Sequence, residues 1–576
     1  MNPELRGSII EVAKKGGIYW NLIWCWPIIT VVLAAGCAHL RERLRPPAYS
    51  VVLLTLDSIN VRHVGAYGYG RDTTPHLDRL AREGALFMRA YSTSAWTSPG
   101  LVSILTGLYP TAHGVRERGK SVPHGLTTLP RALARRGYQS PGLSYLLSIP
   151  NYAYLGFSPT PTDLGVAPDE ADDAALRLWL AARPQEPFFL WYHYAISHLP
   201  YRPPEPWRSR FYREGEAETE FVRKVNTLPV YRKSEHEMEV TPGERKAVED
   251  LYDAELAYQD HLLGKTLDYM RKLELLDRAI LIITADHGEE VLERGFVGHA
   301  STSLAGTLHG ELTNIPLIMR FPGGRYRGVI DQPVSQVDIM PTILDFLDIK
   351  PPAGLQGRTL MPLIRGEKTV VRPLFQETTT CGYQCPEGEN SDHLTSIVMG
   401  SWKLISTRKG SKVGFELYDL ERDPDERHNL ILSESRQAEI MKQVLARQIL
   451  LNQSLASDLQ RGPQGKLTSR AGSPDLAPII LLPHSGDTLR FSPGETRIVL
   501  EWVGSEAADY TIEYRVGSGD KLLSGRFGVR GNRKKFGPIP LSTWEMLPNY
   551  NPFRFRIRQE PDGPWSPWRE FTISAG

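Results

Sequence analysis

Hydrophobic and polar positions follow one pattern as far as residue 430 and another near the C-terminus. In the first part, short apolar runs alternate with stretches of helical period. Val51-Val52-Leu53-Leu54-Thr55-Leu56 and Ala279-Ile280-Leu281-Ile282-Ile283-Thr284-Ala285 are apolar almost throughout, as strands buried on both faces are. Pro187–Ala195 and Ile315–Phe321 read as further strands. Thr74-Pro75 opens a helix that runs through Arg82 and stops at Gly84, and Leu126–Arg136 is a helix ended by Gly137. Pro242–Leu276, Val337–Leu347 and Ser433–Ser457 are also helical. Strands alternating with helices predict an α/β domain, an α/β sandwich with a largely parallel central sheet. Ligands of such sheets collect beyond the carboxyl ends of the strands. Asp57 and Asp286 follow directly on two of those ends.

Near the C-terminus the period shortens to two. Arg497–Trp502, Asp509–Arg515 and Phe553–Arg558 alternate apolar with polar, as half-buried strands do. A small all-β sandwich is expected there. The boundaries drawn are a signal peptide or membrane anchor at 1–37, a basic linker at 38–50, the α/β domain at 51–455, a Gly/Ser/Pro linker at 456–474 and the sandwich at 475–576. Pro200–Val240, rich in proline and charge, reads as an insertion over the site.

Composition narrows the setting. With 576 residues, 41% hydrophobic, the chain can bury more than one core. A formal net charge of +1 provides no field for nucleic acid. Lys14-Lys15 precede an apolar run, Ile18–Gly36, that ends L-A-A-G-C at Cys37. A basic start, an apolar middle and small residues before a break make an export signal. The small residues resemble a bacterial lipoprotein box with Cys37 as the lipidated residue, whereas the length of the run and Arg41, Arg43 and Arg45 fit an uncleaved anchor. Both readings place the remainder at a bacterial cell envelope, on its periplasmic or outer face, held to the membrane by a lipid or a helix. Cys381 and Cys385 in C-G-Y-Q-C are expected to pair in an oxidising compartment, the alternative being free thiols.

The chemistry-bearing residues converge on the strand ends. Asp57, Asp286 and His287 offer two carboxylates and an imidazole, a set suited to a divalent ion. Thr97 precedes Pro99 at the start of a short helix closed by Gly107. One reading makes Thr97 an N-cap. The other makes it a metal-activated nucleophile at a helix N-terminus, where backbone N–H groups favour an anion. The two strand-end ligand sets favour the second. His113, His193, His198, His299 and His309 are further polar candidates. His198 lies just past a buried strand, and His299 and His309 follow the Asp286-His287 strand closely. Arg116 and Lys120 are candidates to offset anionic charge.

From Val51 to Leu430 the chain resembles the sulfatase family of the alkaline-phosphatase superfamily. The resemblance rests on L-T-L-D-S-I-N-V-R-H-V-G-A-Y-G-Y, T-S-P-G-L-V-S-I-L-T-G-L-Y-P-T-A-H-G-V, T-A-D-H-G-E-E and E-L-Y-D-L-E-R-D-P-D-E-R-H-N-L, found in the family's order. It implies an alkaline-phosphatase-like fold and hydrolysis of sulfate or phosphate esters carried by a small molecule, glycan or lipid. It implies one divalent metal ion (calcium, manganese or zinc) held by Asp57, Thr97, Asp286 and His287. Thr97 would be the nucleophile, with His113, His198, His299 and His309 around the substrate. Usual sulfatases carry a Cys or Ser, converted to formylglycine, where this chain has Thr97, and an Arg where it has Leu101. Ser58 replaces a second Asp, and His287 an Asn. The set with Thr97 is similar to that of phosphoethanolamine transferases and lipoteichoic acid synthases, which form a phospho-Thr intermediate; a phospho-group transferase is therefore an alternative, as is a degenerate glycan-binding protein. The C-terminal strands resemble a fibronectin type III module.

Overall fold

A computed structural model describes residues 49–574, apart from 159–173, 183, 185–186, 213–219, 227–239, 301–305, 383–384, 386–391, 461–478, 483–486, 491–497, 504–507, 518–522, 537–546 and 562. The expected signal or anchor at 1–37 lies outside the described residues, as do most of both linkers.

The central sheet contains β1 (Ser50–Leu56), β2 (Ala85–Tyr91), β3 (Phe189–Tyr194), β4 (Ala279–Ala285), β5 (Asn314–Arg320), β6 (Gly328–Ile330) and β7 (Val334–Ser335). Its order is β3-β1-β4-β5-β2-β6, with β7 also pairing with β2. β1 runs parallel to β3 and β4, and β2 runs parallel to β6 and β7. β5 runs against β4 and β2, so the sheet is mixed but largely parallel. Every residue of β1 and β4 is buried, which is why both read as unbroken apolar runs. The in-register pairs Leu56↔Tyr194 and Leu56↔Ala285 end the three strands level. Asp57 and Asp286 therefore emerge side by side.

Helices cover the sheet: α1 (Pro75–Glu83), α2 (Thr97–Thr106), α3 (Pro242–Lys272) and α4 (Ile339–Phe346). α3 starts with Pro242 inside a capping box formed by Thr241 and Glu244. The helix expected over Leu126–Arg136 is shorter, Leu129–Ala134, because Thr128 caps it.

Beyond residue 370 the expected α/β alternation fails. β8 (Leu374–Thr379), β9 (His393–Met399), β10 (Trp402–Lys409) and β11 (Lys412–Asp419) form a separate antiparallel sheet. α5 (Ser435–Gln460) packs on it through Ala438, Met441 and Val444, and runs past the boundary drawn at 455. The C-terminal strands are β12 (Ile479–Leu482), β13 (Asp487–Arg490), β14 (Ile498–Val503), β15 (Asp509–Val516), β16 (Leu523–Arg530), β17 (Arg533–Phe536), β18 (Phe553–Gln559) and β19 (Arg569–Ser574). They form two sheets, β12-β14-β17 and β13-β19-β18-β15-β16, around Trp502, Tyr510 and Ile557.

Candidate active site

The nucleophile candidate is placed by the first turn of α2. The N-cap of that helix is Trp96, which makes no side-chain cap bond, and Thr97 is the first helical residue. The capping reading is thereby corrected: Thr97 Oγ1 lies 3.3 Å from His287 Nε2 instead. Gly100 allows this approach, since a Cβ there would meet the Asp286 carbonyl oxygen at 2.5 Å. Gly107 closes the helix in the left-handed region at φ 66°.

The carboxylates are held by local backbone. Ser58, at φ 57°, donates its hydroxyl to Asp57 Oδ1 at 2.9 Å and its N–H to Asp286 Oδ1 at 3.2 Å. Tyr252 fixes that strained turn by donating to the Ser58 carbonyl at 2.8 Å. His287 Nε2 is 3.2 Å from Asp286 Oδ2 and 3.7 Å from Asp57 Oδ1. His287 Nδ1 lies 2.7 Å from the Gly288 carbonyl, which can only accept. Nδ1 therefore carries the proton, and Nε2 turns a lone pair toward Thr97 and the carboxylates.

His193, a candidate without a metal role in the sequence, joins this group. It sits on β3 directly beside Thr55 of β1. Its Nδ1 is 2.9 Å from Thr55 Oγ1, and its Nε2 is 3.5 Å from Asp57 Oδ2. Asp57, His193 and Asp286 each offer a ligand atom within 4.8 Å of the others. His193 Nε2 and Asp286 Oδ2 are buried with no hydrogen-bond partner. Two carboxylates and an imidazole around such orphaned atoms fit a divalent cation.

Electrostatics agree with that fit. Burial raises the Asp57 carboxyl, but the neighbouring His193, then His198 and His287, outweigh it and hold Asp57 well below the usual range. Burial, then the Asp57 charge, push Asp286 well above it. Burial also lowers His287, so its imidazole is neutral and ready to act as a ligand.

A second cluster adjoins the first. The rings of His287 and His299 are 4.3 Å apart, and those of His299 and His198 are 4.8 Å apart. Glu289 Oε2 is 2.7 Å from His299 Nδ1, and Tyr201 donates to Glu289 Oε1 at 2.9 Å. His198 and His299 are thus gathered with the ligand set.

Two expected site residues are elsewhere. His113 is fully buried behind α2, 3.1 Å from Ser103 Oγ, and accepts from the Val115 N–H at 3.1 Å. His309 turns to the antiparallel sheet, 2.9 Å from Glu426 Oε2, whose other oxygen accepts from Lys403 at 2.8 Å. Arg116 lies 3.7 Å from Glu377 Oε2, and Lys120 is exposed. Leu101 is 1% exposed, inside the core. Cys381 and Cys385 form the expected disulfide. A cavity of about 900 Å³ between Arg136, Asp338, Lys350 and Arg372 includes none of the site residues.

Comparison with known proteins shows the family. The sulfatase family profile covers residues 50–349, and an N-sulphoglucosamine sulphohydrolase C-terminal profile covers 306–454. An N-acetylglucosamine-6-O-sulfatase of Bacteroides thetaiotaomicron is 22% identical over 74% of this chain and 89% of its own. Arylsulfatase K of Rattus norvegicus is 24% identical over 70% and 78%. Among solved structures, the phosphonate monoester hydrolase of Agrobacterium radiobacter superposes with a TM-score of 0.55 at 21% identity, covering 71% of this chain and 96% of that one. A structure in complex with its substrate D-glucosamine-2-N,6-O-disulfate gives 0.56 at 19% identity, covering 71% and 98%. The chain belongs to the sulfatase family, with its alkaline-phosphatase-like fold. It is an ester hydrolase of that family.

Proposed function

We propose that this protein is an extracytoplasmic, metal-dependent hydrolase that removes sulfate from a sulfated glycan, with Thr97 as the nucleophile. The carrying observation is the contact of Thr97 Oγ1 with His287 Nε2 at 3.3 Å, beside two carboxylates that emerge from adjacent strand ends. Asp57, Asp286, His287 and Thr97 would hold the metal, with His193 as an added ligand. Once bound, a divalent ion supplies positive charge that lowers the hydroxyl pKa and offsets charge on the transferred group.

The chain's own residues then divide the work. The Thr97 hydroxyl gives up its proton to solvent and its oxygen attacks sulfur, forming a Thr–O–S bond while the bond from sulfur to the ester oxygen breaks. His198 and His299, whose rings lie 4.8 Å apart beside His287, would hand a proton to the departing oxygen. Water then cleaves the Thr97 ester and releases sulfate. Support for a glycan comes from the relatives, among them an N-acetylglucosamine-6-O-sulfatase and a structure holding a glucosamine disulfate. Envelope location is supported by the export-type N-terminus and the Cys381–Cys385 disulfide. The C-terminal strand order, three strands against five, supports the fibronectin type III reading.

A second reading, phosphoester hydrolysis or transfer, is favoured by Thr97 and Leu101, which stand where usual sulfatases have a formylglycine precursor and an Arg. The test is turnover of aryl sulfate, phosphate monoester, phosphate diester and phosphonate substrates with calcium, manganese or zinc, run beside Thr97→Ala. Metal-dependent turnover of the sulfate, lost in the variant, supports the first reading; turnover of a phosphorus ester alone supports the second. Turnover that is unchanged in Thr97→Ala rejects both.

A further inference from the structure

Leu101 lies in the apolar core, so the position that carries an Arg in usual sulfatases contributes no donor to the site. Arg116 faces Glu377. Some other group must therefore bind the non-bridging oxygens of the transferred group. Among the described residues, Tyr152 is a buried side chain that has a donor to spare. Tyr152 ends the short helix Pro150–Tyr152, which packs on α2. The residue is 2% exposed, yet its hydroxyl has no hydrogen-bond partner. Ser98, the residue after Thr97, lies beside it, and the phenol feels the charges of Asp286 and Asp57. Its ring rests 6.0 Å from Trp191, whose Nε1 donates to Thr55 Oγ1 at 3.0 Å, so the phenol is braced against β1 and β3.

A buried hydroxyl without a partner is destabilising, and such a group calls for an explanation. The first turn of α2 adds backbone N–H groups that have no acceptor within the helix. The phenol thus lies beside this helix start, at Ser98, and within reach of the charges of the Asp57–Asp286 pair.

We propose that Tyr152 is a substrate-binding catalytic residue, its hydroxyl donating to a non-bridging oxygen of the sulfuryl or phosphoryl group while the first turn of α2 receives the others. Burial, foremost, keeps the phenol protonated and hence a donor, its pKa pushed above the ordinary tyrosine value. The assignment rests on the proposed reading of Thr97 as nucleophile, and holds for either ester class.

The test is Tyr152→Phe in the full-length protein loaded with manganese, read in three ways. A donor used mainly in the transition state is worth about 100-fold, so kcat falls by about that factor with KM little changed. Binding of orthovanadate, a mimic of the five-coordinate transition state, weakens by a similar factor in calorimetry. The melting temperature holds or rises, because the variant removes a buried hydroxyl that bonds to nothing in the free protein. A variant that binds vanadate and turns over as wild type does overturns the proposal. So does one that loses stability and activity together, which makes the hydroxyl structural. If wild type and Thr97→Ala turn over equally, the nucleophile reading fails, and the vanadate titration still decides the role of Tyr152. Failure of wild type to bind vanadate rejects it.

Discussion

Thr97 Oγ1 and His287 Nε2 lie 3.3 Å apart, joining the start of α2 to the end of β4. A half-buried hydroxyl at the first helical residue of α2, with no capping duty, is free to react. Thr97→Ala is expected to lower turnover at least about a thousand-fold. The melting temperature should stay within a few degrees of wild type. Thr97→Ser, which keeps the oxygen, should retain measurable rate. Steady-state kinetics beside thermal melts check this, and an active Ala variant removes Thr97 from the mechanism.

His193 places an unpartnered Nε2 beside Asp57. His193→Ala should weaken divalent metal binding by at least about 10-fold, the scale seen even for groups that only support metal ligands. Metal content after dialysis, or a calorimetric titration with manganese or zinc, reads the effect directly. Unchanged affinity would make His193 a bystander.

Gly100 has no room for a side chain, because a Cβ would stand 2.5 Å from the Asp286 carbonyl oxygen. Gly100→Ala should therefore push β4's end away from α2, costing about 1–3 kcal/mol of stability. Metal affinity should fall with it, since Asp286 moves. A denaturant melt showing wild-type stability would contradict the close approach.

Glu289 fixes His299 by a 2.7 Å contact and is itself held by Tyr201. Glu289→Gln should slow esters with poor leaving groups more than esters with good ones. The gap is expected to be about 10-fold, within the range of general acid catalysis. A series of aryl esters with graded leaving groups measures it, and parallel losses across the series would exclude proton transfer through His299.

Burial lowers His113 from 6.5 to about 3. The unfolded chain thus binds a proton at this residue before the folded one does. Its contribution to stability is complete above pH 6.5 and is lost as pH falls toward 3, by up to about 4–5 kcal/mol. Chemical melts from pH 7 to 4 should show the decline, and His113→Gln should flatten part of it.

Much of this arrangement is legible along the chain because burial on both faces leaves a direct mark. β1 and β4 read as apolar runs, and parallel strands point their carboxyl ends one way. Asp57, Asp286 and His287 could be named for that reason, and Thr97 from the Pro99–Gly107 helix signal. Other residues left no such mark. The antiparallel sheet β8–β11 is not legible in the sequence because its hairpin connections do not stand out. His113 and His309 look like His198 and His299 in sequence: a histidine near a motif. The core claims His113, and Glu426 claims His309.

Read along the chain, then, are the α/β class and, as candidates, Asp57, Asp286, His287 and Thr97, all consequences of local periodicity and of residues adjoining in the chain. Packing between distant segments is what brings His193, His198 and His299 beside those candidates. His193 becomes a ligand candidate because β3 pairs with β1 in the register Thr55↔His193. Tyr152 reaches the site because a short helix packs on α2 across the fold. Pairing register and packing depend on contacts between segments more than a hundred residues apart in the first case, and a one-residue slip would turn His193 to the opposite face.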